Sequence, residues 1–169
     1  PTRPLVMHID LNSCFATVEQ QARPMLRGKP VAILNRRTEH TMIVTCSYEA
    51  KAMGVKLGMS FKEAKRLCPK LVGLESDPAK YRFVYHKLMG IMRDYSPSFT
   101  MKSIDEGVID FALSPALTRD RDLVAVGHEI KQRLRSEIGC AMRCNIGIAP
   151  NRFLAKMAAG LHKPDGLDV

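Results

Sequence analysis

The sequence predicts an α+β fold, with a mostly antiparallel sheet that carries helices on one face and a small α/β subdomain inserted into the chain. The first observation behind this prediction is that short apolar runs of strand character alternate with longer stretches of helical spacing. The second is the distribution of charge. Residues 21–76 contain 11 Lys and Arg but only 4 Asp and Glu, whereas the rest of the chain contains 15 and 13. The basic middle part of the chain, roughly residues 23–76, is therefore predicted to be the insertion.

The chain begins with a predicted strand and helix. The apolar run over residues 5–9 predicts a buried strand that ends at Asp10. Phe15, Val18 and Glu19 then follow at helical spacing. A carboxylate at the end of a buried strand can reach a cleft, which makes Asp10 a candidate functional residue.

The inserted segment is predicted to contain two strands and two helices. Residues 31–34 and 41–44 are short apolar runs typical of strands, and residues 47–53 favour a helix. Ser60 and Glu63 form a capping box, in which each side chain bonds the backbone amide of the other, and this predicts the start of the second helix.

The remainder of the chain returns to the main sheet. The predicted elements, in order, are a helix over residues 77–95, a hairpin of strands over 98–103 and 107–111, a helix over 120–138, a strand over 141–148 and a helix over 151–161. Together with the first strand, this order gives the α+β architecture.

Composition excludes several classes of protein. With 169 residues, 46% hydrophobic and 25% charged, the chain is long and apolar enough for a globular core. No apolar run approaches the roughly 18–20 residues of a membrane span, and no secretory signal opens the chain. The five cysteines lack CxxC spacing, which argues against a disulfide scaffold or zinc site and favours a reducing, cytoplasmic setting. The net charge of +9 favours a polyanionic partner.

Three acids stand at predicted strand ends. Asp105 and Glu106 occupy the turn of the predicted hairpin, where two adjacent side chains can converge. If the first strand pairs beside this hairpin, Asp10 joins them at one edge of the sheet. Three close carboxylates repel one another unless a cation neutralises them, and their hard oxygens suit Mg²⁺ or Mn²⁺ in a two-metal phosphoryl transfer. The alternative that Asp105 and Glu106 are solvated turn residues stays open at this point, because acidic turns are common.

Four segments resemble motifs of the Y-family (translesion) DNA polymerases, and most of all the bacterial DNA polymerase IV type. They occur in the family's order and together span positions 10 to 166. These segments are DLNSCFATVEQ at 10–20 (first motif), SYEAK at 47–51 with Gly54 and Val55 (fingers motif), SIDE at 103–106 (second metal-binding motif), and 147–156 with KPDG at 163–166 (closing palm motif).

The resemblance implies the domains of that family. A palm would comprise residues 1–22 and 77–169, and the fingers residues 23–76. The family's thumb and little-finger domains are absent from this chain. Pro1, where an initiator Met is expected, likewise favours a piece of a longer protein.

The resemblance also implies the metal ligands. Asp10, Asp105 and Glu106 would be the catalytic residues that bind two Mg²⁺ ions, for which Mn²⁺ can substitute. The backbone carbonyl of Leu11 would be a further ligand.

Nucleotide-binding residues follow from the same motifs. Tyr48, Lys51 and Lys163 would bind the triphosphate of the incoming deoxynucleotide, and Thr45 is a weaker candidate. Phe15 would be the steric gate that excludes a 2′-hydroxyl, although the spacing alone favours a core aromatic. Lys51 replaces the family's usual Arg, which exchanges a bidentate fork for a point charge.

The implied function is a template-directed DNA polymerase in translesion synthesis, which transfers a nucleotide from a dNTP to a primer 3′-hydroxyl. Its partners would be primer–template DNA, dNTP and, through segments missing here, a sliding clamp. Two alternatives remain open. In the first, the chain is a catalytically unproductive fragment that binds nucleic acid or has a structural role. In the second, it is another metal-dependent nucleotide phosphotransferase, such as a cyclase.

Overall fold

The structure, a computed structural model, describes residues 3–169. The interpretation of Pro1 as the start of a shortened chain lies outside the described residues. Internal contacts divide the chain into two compact units. The large unit contains the residues up to Asn12 together with Arg82–Val169, and the small unit contains Ser13–Tyr81.

These limits differ from the predicted domains in two places. The first helix and residues 77–81 group with the small unit, whereas the resemblance assigned both to the palm. The assignment of a palm (1–22 and 77–169) and fingers (23–76) stays a prediction.

Strands and helices alternate along the described chain. The strands are β1 (Val6–Leu11), β2 (Val31–Leu34), β3 (Ile43–Cys46), β4 (Val72–Glu75), β5 (Phe99–Met101), β6 (Glu106–Asp110), β7 (Cys144–Ala149) and β8 (Leu167–Asp168). The α-helices are α1 (Cys14–Ala22), α2 (Tyr48–Ala52), α3 (Phe61–Leu67), α4 (Pro78–Arg93), α5 (Pro115–Asp120), α6 (Leu123–Arg133) and α7 (Arg152–Ala159). Short 3₁₀ turns lie at Pro24–Leu26 and Phe111–Leu113, and α6 continues into a π-helical turn at Leu134–Ile138. Within residues 3–169, no helix combines the length and apolarity that crossing a bilayer requires.

The large unit is built on a sheet with the strand order β5-β6-β1-β7-β8. β1 pairs antiparallel with β6 on one side and with β7 on the other, while the edge pair β7–β8 is parallel. The predicted α+β class with a mostly antiparallel sheet is confirmed. β1 is central, and all of its residues except Asp10 are buried, which explains its nearly continuous apolar run.

Helices cover both faces of this sheet. A Cβ atom on Gly147 of β7 would lie 2.0 Å from the carbonyl oxygen of Ala155 and 2.3 Å from the amide nitrogen of Ala159, so α7 packs directly on the strand backbone. Ile146, the preceding residue, instead faces Gly127 of α6. Because neighbouring residues of a strand point to opposite faces, α6 and α7 lie on opposite sides of the sheet. The sequence did not predict this second helical face.

The small unit has a second sheet in the order β3-β2-β4, with β2 antiparallel to β3 and parallel to β4. Both of its faces carry apolar clusters, as expected for the predicted small α/β subdomain. One cluster contains Ala32, Leu34, Ile43, Cys46, Ala50, Val55, Ala64, Cys68 and Leu71, and the other contains Ala16, Val31, Ile33 and Leu74. β4 was not predicted, because Gly73 interrupts its apolar pattern and Glu75 is exposed.

Helix starts follow the capping chemistry of the sequence. Ser60 accepts a hydrogen bond from the amide of Glu63, which confirms this half of the predicted capping box. The helix predicted over residues 120–138 begins instead at Leu123, because the side chain of Asp122 accepts from the amide of Ala125 and caps α6. The first amides of a helix lack helical partners, so such a cap favours a helix start at this point.

Candidate active site

Asp10, Asp105 and Glu106 form what we call the acidic edge, at one end of β1 and β6 in the large unit. Asp10 lies directly opposite Glu106 in the strand register. Residues in this relation have side chains on the same face, with Cβ atoms about 4.5–5.5 Å apart. The amide of Leu11 donates a 2.9 Å hydrogen bond to the carbonyl oxygen of Asp105. We expected the three acids to converge only if β1 pairs beside the hairpin, and the structure contains this pairing.

Two lysines bind this acidic edge from the last part of the chain. Nζ of Lys163 lies 2.6 Å from Oδ2 of Asp10, and Nζ of Lys156 lies 3.3 Å from Oε1 of Glu106. Both carboxylates are about one-fifth exposed, so they are accessible from solvent. Lys163 was predicted to bind triphosphate, and the structure brings it to the predicted metal-binding acids. The sequence left the role of Lys156 open.

Each carboxylate of the acidic edge is turned toward a partner of its own. Besides the two lysine pairs, Oδ1 of Asp105 accepts a 2.6 Å hydrogen bond from the hydroxyl of Ser103. In residues 3–169, no group of three His, Cys, Asp or Glu side chains is arranged to hold a metal ion. The carboxylate oxygens are nonetheless the donors that Mg²⁺ prefers. The site fits a divalent cation by its chemistry, and rotation of the side chains away from the lysines would free the carboxylates.

Asparagine side chains hold the loop that carries Lys163. Oδ1 of Asn12 accepts a 2.9 Å hydrogen bond from the amide of Asp165, and Oδ1 of Asn145 accepts one of 3.2 Å from the amide of Gly166. Asn145 is fully buried and lies opposite Asp10 in the register of β1 and β7. Sequence reasoning missed Asn145, although an amide inside an apolar strand was an available signal.

An ion pair with the buried Lys131 holds the same loop on the side of α6. Lys131 of α6 is 5% exposed, and its ammonium donates to the carbonyl oxygen of Cys144 and, at 2.8 Å, to Oδ1 of Asp165. Arg135 donates to the other carboxylate oxygen of Asp165. An unpaired buried ammonium is strongly unfavourable, so this pairing ties α6 to the loop. Sequence reasoning missed Lys131, whose signal was a lysine on an apolar helix face.

His8 contacts the acidic edge from the interior of β1. It is 2% exposed, and Nε2 lies 3.3 Å from Oε2 of Glu106. Burial lowers the pKa of His8 below its ordinary value, and the negative charge of Glu106 opposes this shift only in part. The neutral imidazole is therefore favoured beside the carboxylate. The sequence left His8 unassigned, because no histidine pair in the chain has metal-ligand spacing.

Phe15 of the small unit stacks on Tyr81. The two ring centroids are 4.3 Å apart and the planes differ by 9°. The hydroxyl of Tyr81 donates a 3.2 Å hydrogen bond to Oε1 of the buried Glu19, whose other oxygen lies 3.0 Å from Nζ of Lys80. Burial raises the pKa of the Tyr81 hydroxyl, which keeps it a donor. Phe15 is half-buried, with its ring held on one side, and its role as steric gate stays a prediction.

The predicted triphosphate ligands of the small unit lie in α2 and in the strand before it. Nζ of Lys51 sits 4.5 Å from the ring centroid of Tyr48 and 3.0 Å from the hydroxyl oxygen of Ser13. The pair is one helical turn apart, and a cation over an aromatic face is favourable. Thr45 lies in β3, opposite Ile33. The structure thus brings Tyr48 and Lys51 together and places Thr45 on the strand that precedes their helix.

Comparison with known proteins identifies the family. The model of the impB/mucB/samB family matches residues 9–160. DNA polymerase IV 1 of Bacillus subtilis (strain 168) is 42% identical over 166 residues, which cover 98% of this chain and 39% of that protein. DNA polymerase IV of Pelotomaculum thermopropionicum is 39% identical over 165 residues, covering 97% and 40%.

Solved structures of the same class share the fold. The crystal structure of DinB from Sulfolobus solfataricus superposes with a TM-score of 0.87 at 27% identity, covering 97% of this chain and 47% of that one. An insertion ternary complex of Dbh DNA polymerase gives a TM-score of 0.86 at 27% identity, with 97% and 48% coverage. The fold is thus that of the Y-family polymerases, and the predicted resemblance is confirmed.

The chain belongs to the impB/mucB/samB family, whose model matches most of its length. It spans about two fifths of the length of the curated relatives reported above.

Proposed function

We propose that this chain is the catalytic part of a template-directed DNA polymerase that acts in translesion synthesis. The single observation that carries the proposal is the register of β1 and β6, which sets Asp10 opposite Glu106 and beside Asp105 in a member of this family. The reaction is nucleotidyl transfer from a dNTP to a primer 3′-hydroxyl, with release of pyrophosphate. The relatives named DNA polymerase IV support this choice.

The acidic edge is proposed as the metal site. Asp10, Asp105 and Glu106, with the carbonyl of Leu11, would hold two Mg²⁺ ions, with Mn²⁺ as a possible substitute. When bound, such ions lower the pKa of the attacking hydroxyl and offset the charge of the triphosphate. Neutral His8 contributes by keeping Glu106 in place from the buried side.

Lys163 is proposed to exchange partners during substrate binding. In the structure its ammonium is paired with Asp10 at 2.6 Å. A triphosphate brings more negative charge than one carboxylate, and its oxygens are strong acceptors of charge-assisted hydrogen bonds. Lys163 therefore moves from Asp10 to the phosphate as the carboxylate becomes available to metal.

The small unit is proposed to bind the nucleotide through its own side chains. Tyr48 and Lys51 donate to the triphosphate, with Thr45 as a further donor. Phe15, fixed by its stack on Tyr81, excludes a 2′-hydroxyl and so selects deoxyribonucleotides.

The proposed partners are primer–template DNA, dNTP and, through segments outside this chain, a sliding clamp. A structural neighbour of this chain is an insertion ternary complex of a DNA polymerase, which supports the first two. The cysteines are free thiols, and a reducing, cytoplasmic setting remains our proposal for the location.

Primer extension tests the proposal. We expect the full-length gene product to extend a primer with Mg²⁺, and residues 1–169 alone to extend it poorly, because they span only about two fifths of the relatives. Asp105→Asn should abolish extension by the full-length protein while leaving its thermal unfolding unchanged. Asp120→Asn, at the exposed end of α5, is the matched control and should remain active. Activity retained by Asp105→Asn would overturn the metal assignment, and a full-length protein without extension would overturn the function.

A further inference from the structure

A basic cleft lies in the large unit beside the acidic edge. Its volume is about 570 Å³, which is within the size range of nucleotide-sized ligand sites. One wall is a face of α4 and the other is the β5–β6 hairpin. The lining residues are Arg82, Tyr85, His86, Met101, Lys102, Ser103 and Ile104.

The chemistry of the lining favours an anion. Arg82 and Lys102 bring permanent positive charges, and His86 and Tyr85 add polar groups. No acid is among the described residues that line the cleft. Arg82, Tyr85 and His86 are spaced three and four apart on α4, so they share one helix face. A phosphate group offers the negative charge and multiple acceptor oxygens that such a wall binds.

The hairpin fixes the cleft relative to the acidic edge. The amides of Lys102 and Ser103 donate hydrogen bonds of 2.9 and 3.3 Å to the carbonyl oxygen of Glu106. The hydroxyl of Ser103 also donates to Asp105, so this one residue belongs both to the cleft and to the site. These backbone hydrogen bonds hold the wall of the cleft next to the acidic edge, so a ligand in the cleft lies beside that site.

We propose that this cleft binds a backbone phosphate of the primer strand close to its 3′ end. The proposal rests on the proposed function, in which the acidic edge acts on the primer 3′-hydroxyl. The strand that ends at this edge must continue past the neighbouring surface, and the cleft is the concave basic surface that shares Ser103 with it. Arg82 and Lys102 neutralise the phosphate and so hold the primer end in place, without regard to its base sequence.

The salt dependence of DNA binding is the first test. The full-length gene product and its Arg82→Ala/Lys102→Ala variant are titrated with a fluorescent primer–template duplex in EDTA, without dNTP, over a range of salt concentrations. We expect the magnitude of the slope of log affinity against log salt to fall by about 0.9, because one phosphate contact is lost. The matched control is Arg119→Ala/Arg152→Ala, which removes the same charge from exposed positions of the same unit. An equal change in both variants, or no change in the first, would overturn the proposal.

Neutral phosphates locate the contact. Single methylphosphonates are placed along the primer, and the affinity ratio between wild type and Arg82→Ala/Lys102→Ala is measured at each position. We expect the ratio to fall to about one at one of the last few primer phosphates, because the contact is already lost there. A ratio that stays unchanged at every primer phosphate would refute the assignment.

These readouts need no catalysis. If primer extension fails but the slope changes as expected, the proposed polymerase function fails and the cleft stands as a DNA-binding site. If extension succeeds and the slope does not change, the cleft assignment fails alone.

Discussion

The two units position their candidate functional side chains by different means. In the large unit, backbone pairing between β1 and β6 sets Asp10 opposite Glu106, and a backbone hydrogen bond fixes Asp105. In the small unit, Phe15 is positioned by side-chain contacts, which are its stack on the ring of Tyr81 and its packing against the apolar cluster around Ile33. The pairing of two strands is stabilised by many hydrogen bonds together, whereas a single aromatic stack stabilises the contact by only about 0.5–1.5 kcal/mol. The acidic edge should therefore resist substitutions around it better than the aromatic pair does.

The largest expected effect is a loss of stability in the large unit, caused by a clash between the backbones of β7 and α7. Gly147→Ala places a Cβ 2.0 Å from the carbonyl oxygen of Ala155, and neither backbone can yield without separating α7 from β7. We expect the free energy of unfolding to fall by about 3 kcal/mol or more, measured by urea denaturation. Gly90→Ala in α4 is the same substitution with nothing within 4 Å of the new atom. It should leave stability unchanged or raise it by about 1 kcal/mol or less, and equal losses in both variants would contradict the packing argument.

The next prediction concerns how the large unit positions the loop that carries Lys163. Lys131→Met removes the buried partner of Asp165 and loosens the loop that carries Lys163. Loss of one hydrogen bond between charged groups is worth about 1.5–3 kcal/mol, so the KM for dNTP should rise on the order of tenfold while kcat changes less.

The double variant identifies the route of this effect. In a Lys163→Ala background, Lys131→Met should add almost nothing to the KM, because the residue it positions is gone. An additive effect would show that Lys131 acts on overall stability instead.

A smaller effect tests the aromatic pair of the small unit. Tyr81→Leu removes the stack on Phe15, and ribonucleotide discrimination should fall by about 2–10-fold, in line with the worth of an aromatic pair. Tyr81→Phe keeps the ring and loses only the bond to Glu19, so its discrimination should stay near the wild-type value. The measurement is the ratio of kcat/KM for a dNTP and the matching NTP. Similar losses in both variants would show that the hydroxyl, and not the stack, positions Phe15.

The smallest effect concerns the pH dependence of stability. Because burial lowers the pKa of His8 in the folded protein, the unfolded chain binds this proton more readily. Above the ordinary pKa of about 6.5, the titration of His8 does not change the free energy of unfolding. As pH falls below that value, it lowers the free energy of unfolding by at most about 1.4 kcal/mol per pH unit. His8→Gln should remove this slope between about pH 7 and pH 5 in urea denaturation. An unchanged slope would show that His8 does not titrate in this way.

Much of the fold was predictable because the signals are local. The apolar run before Asp10 predicted β1, and the capping serine of α3 predicted its start. β4 was missed because Gly73 interrupts its apolar pattern, and β8 because it has only two residues and is recognisable only from its pairing with β7. The start of α6 was predicted three residues early, at Asp120, whereas the cap formed by the side chain of Asp122 sets it at Leu123.

The candidate site was predictable in its acids and not in their partners. Asp10 follows an apolar run, Asp105 and Glu106 lie at the turn of the predicted hairpin, and all three match motifs, so residue type and position revealed them. Asn145 and Lys131 match no short motif, and their roles come from groups far along the chain.

The sequence by itself determined which residues can do the chemistry, because side-chain type, strand ends and motif order are written in short segments. The tertiary structure alone decided which of them meet. The pairing of Asp10 with Lys163 joins residues 153 positions apart, and the bond from Asp165 to Asn12 spans the same separation. Such contacts exist only once the sheet register places the first strand beside the hairpin and the last loop, since no local propensity specifies a partner that distant in the chain.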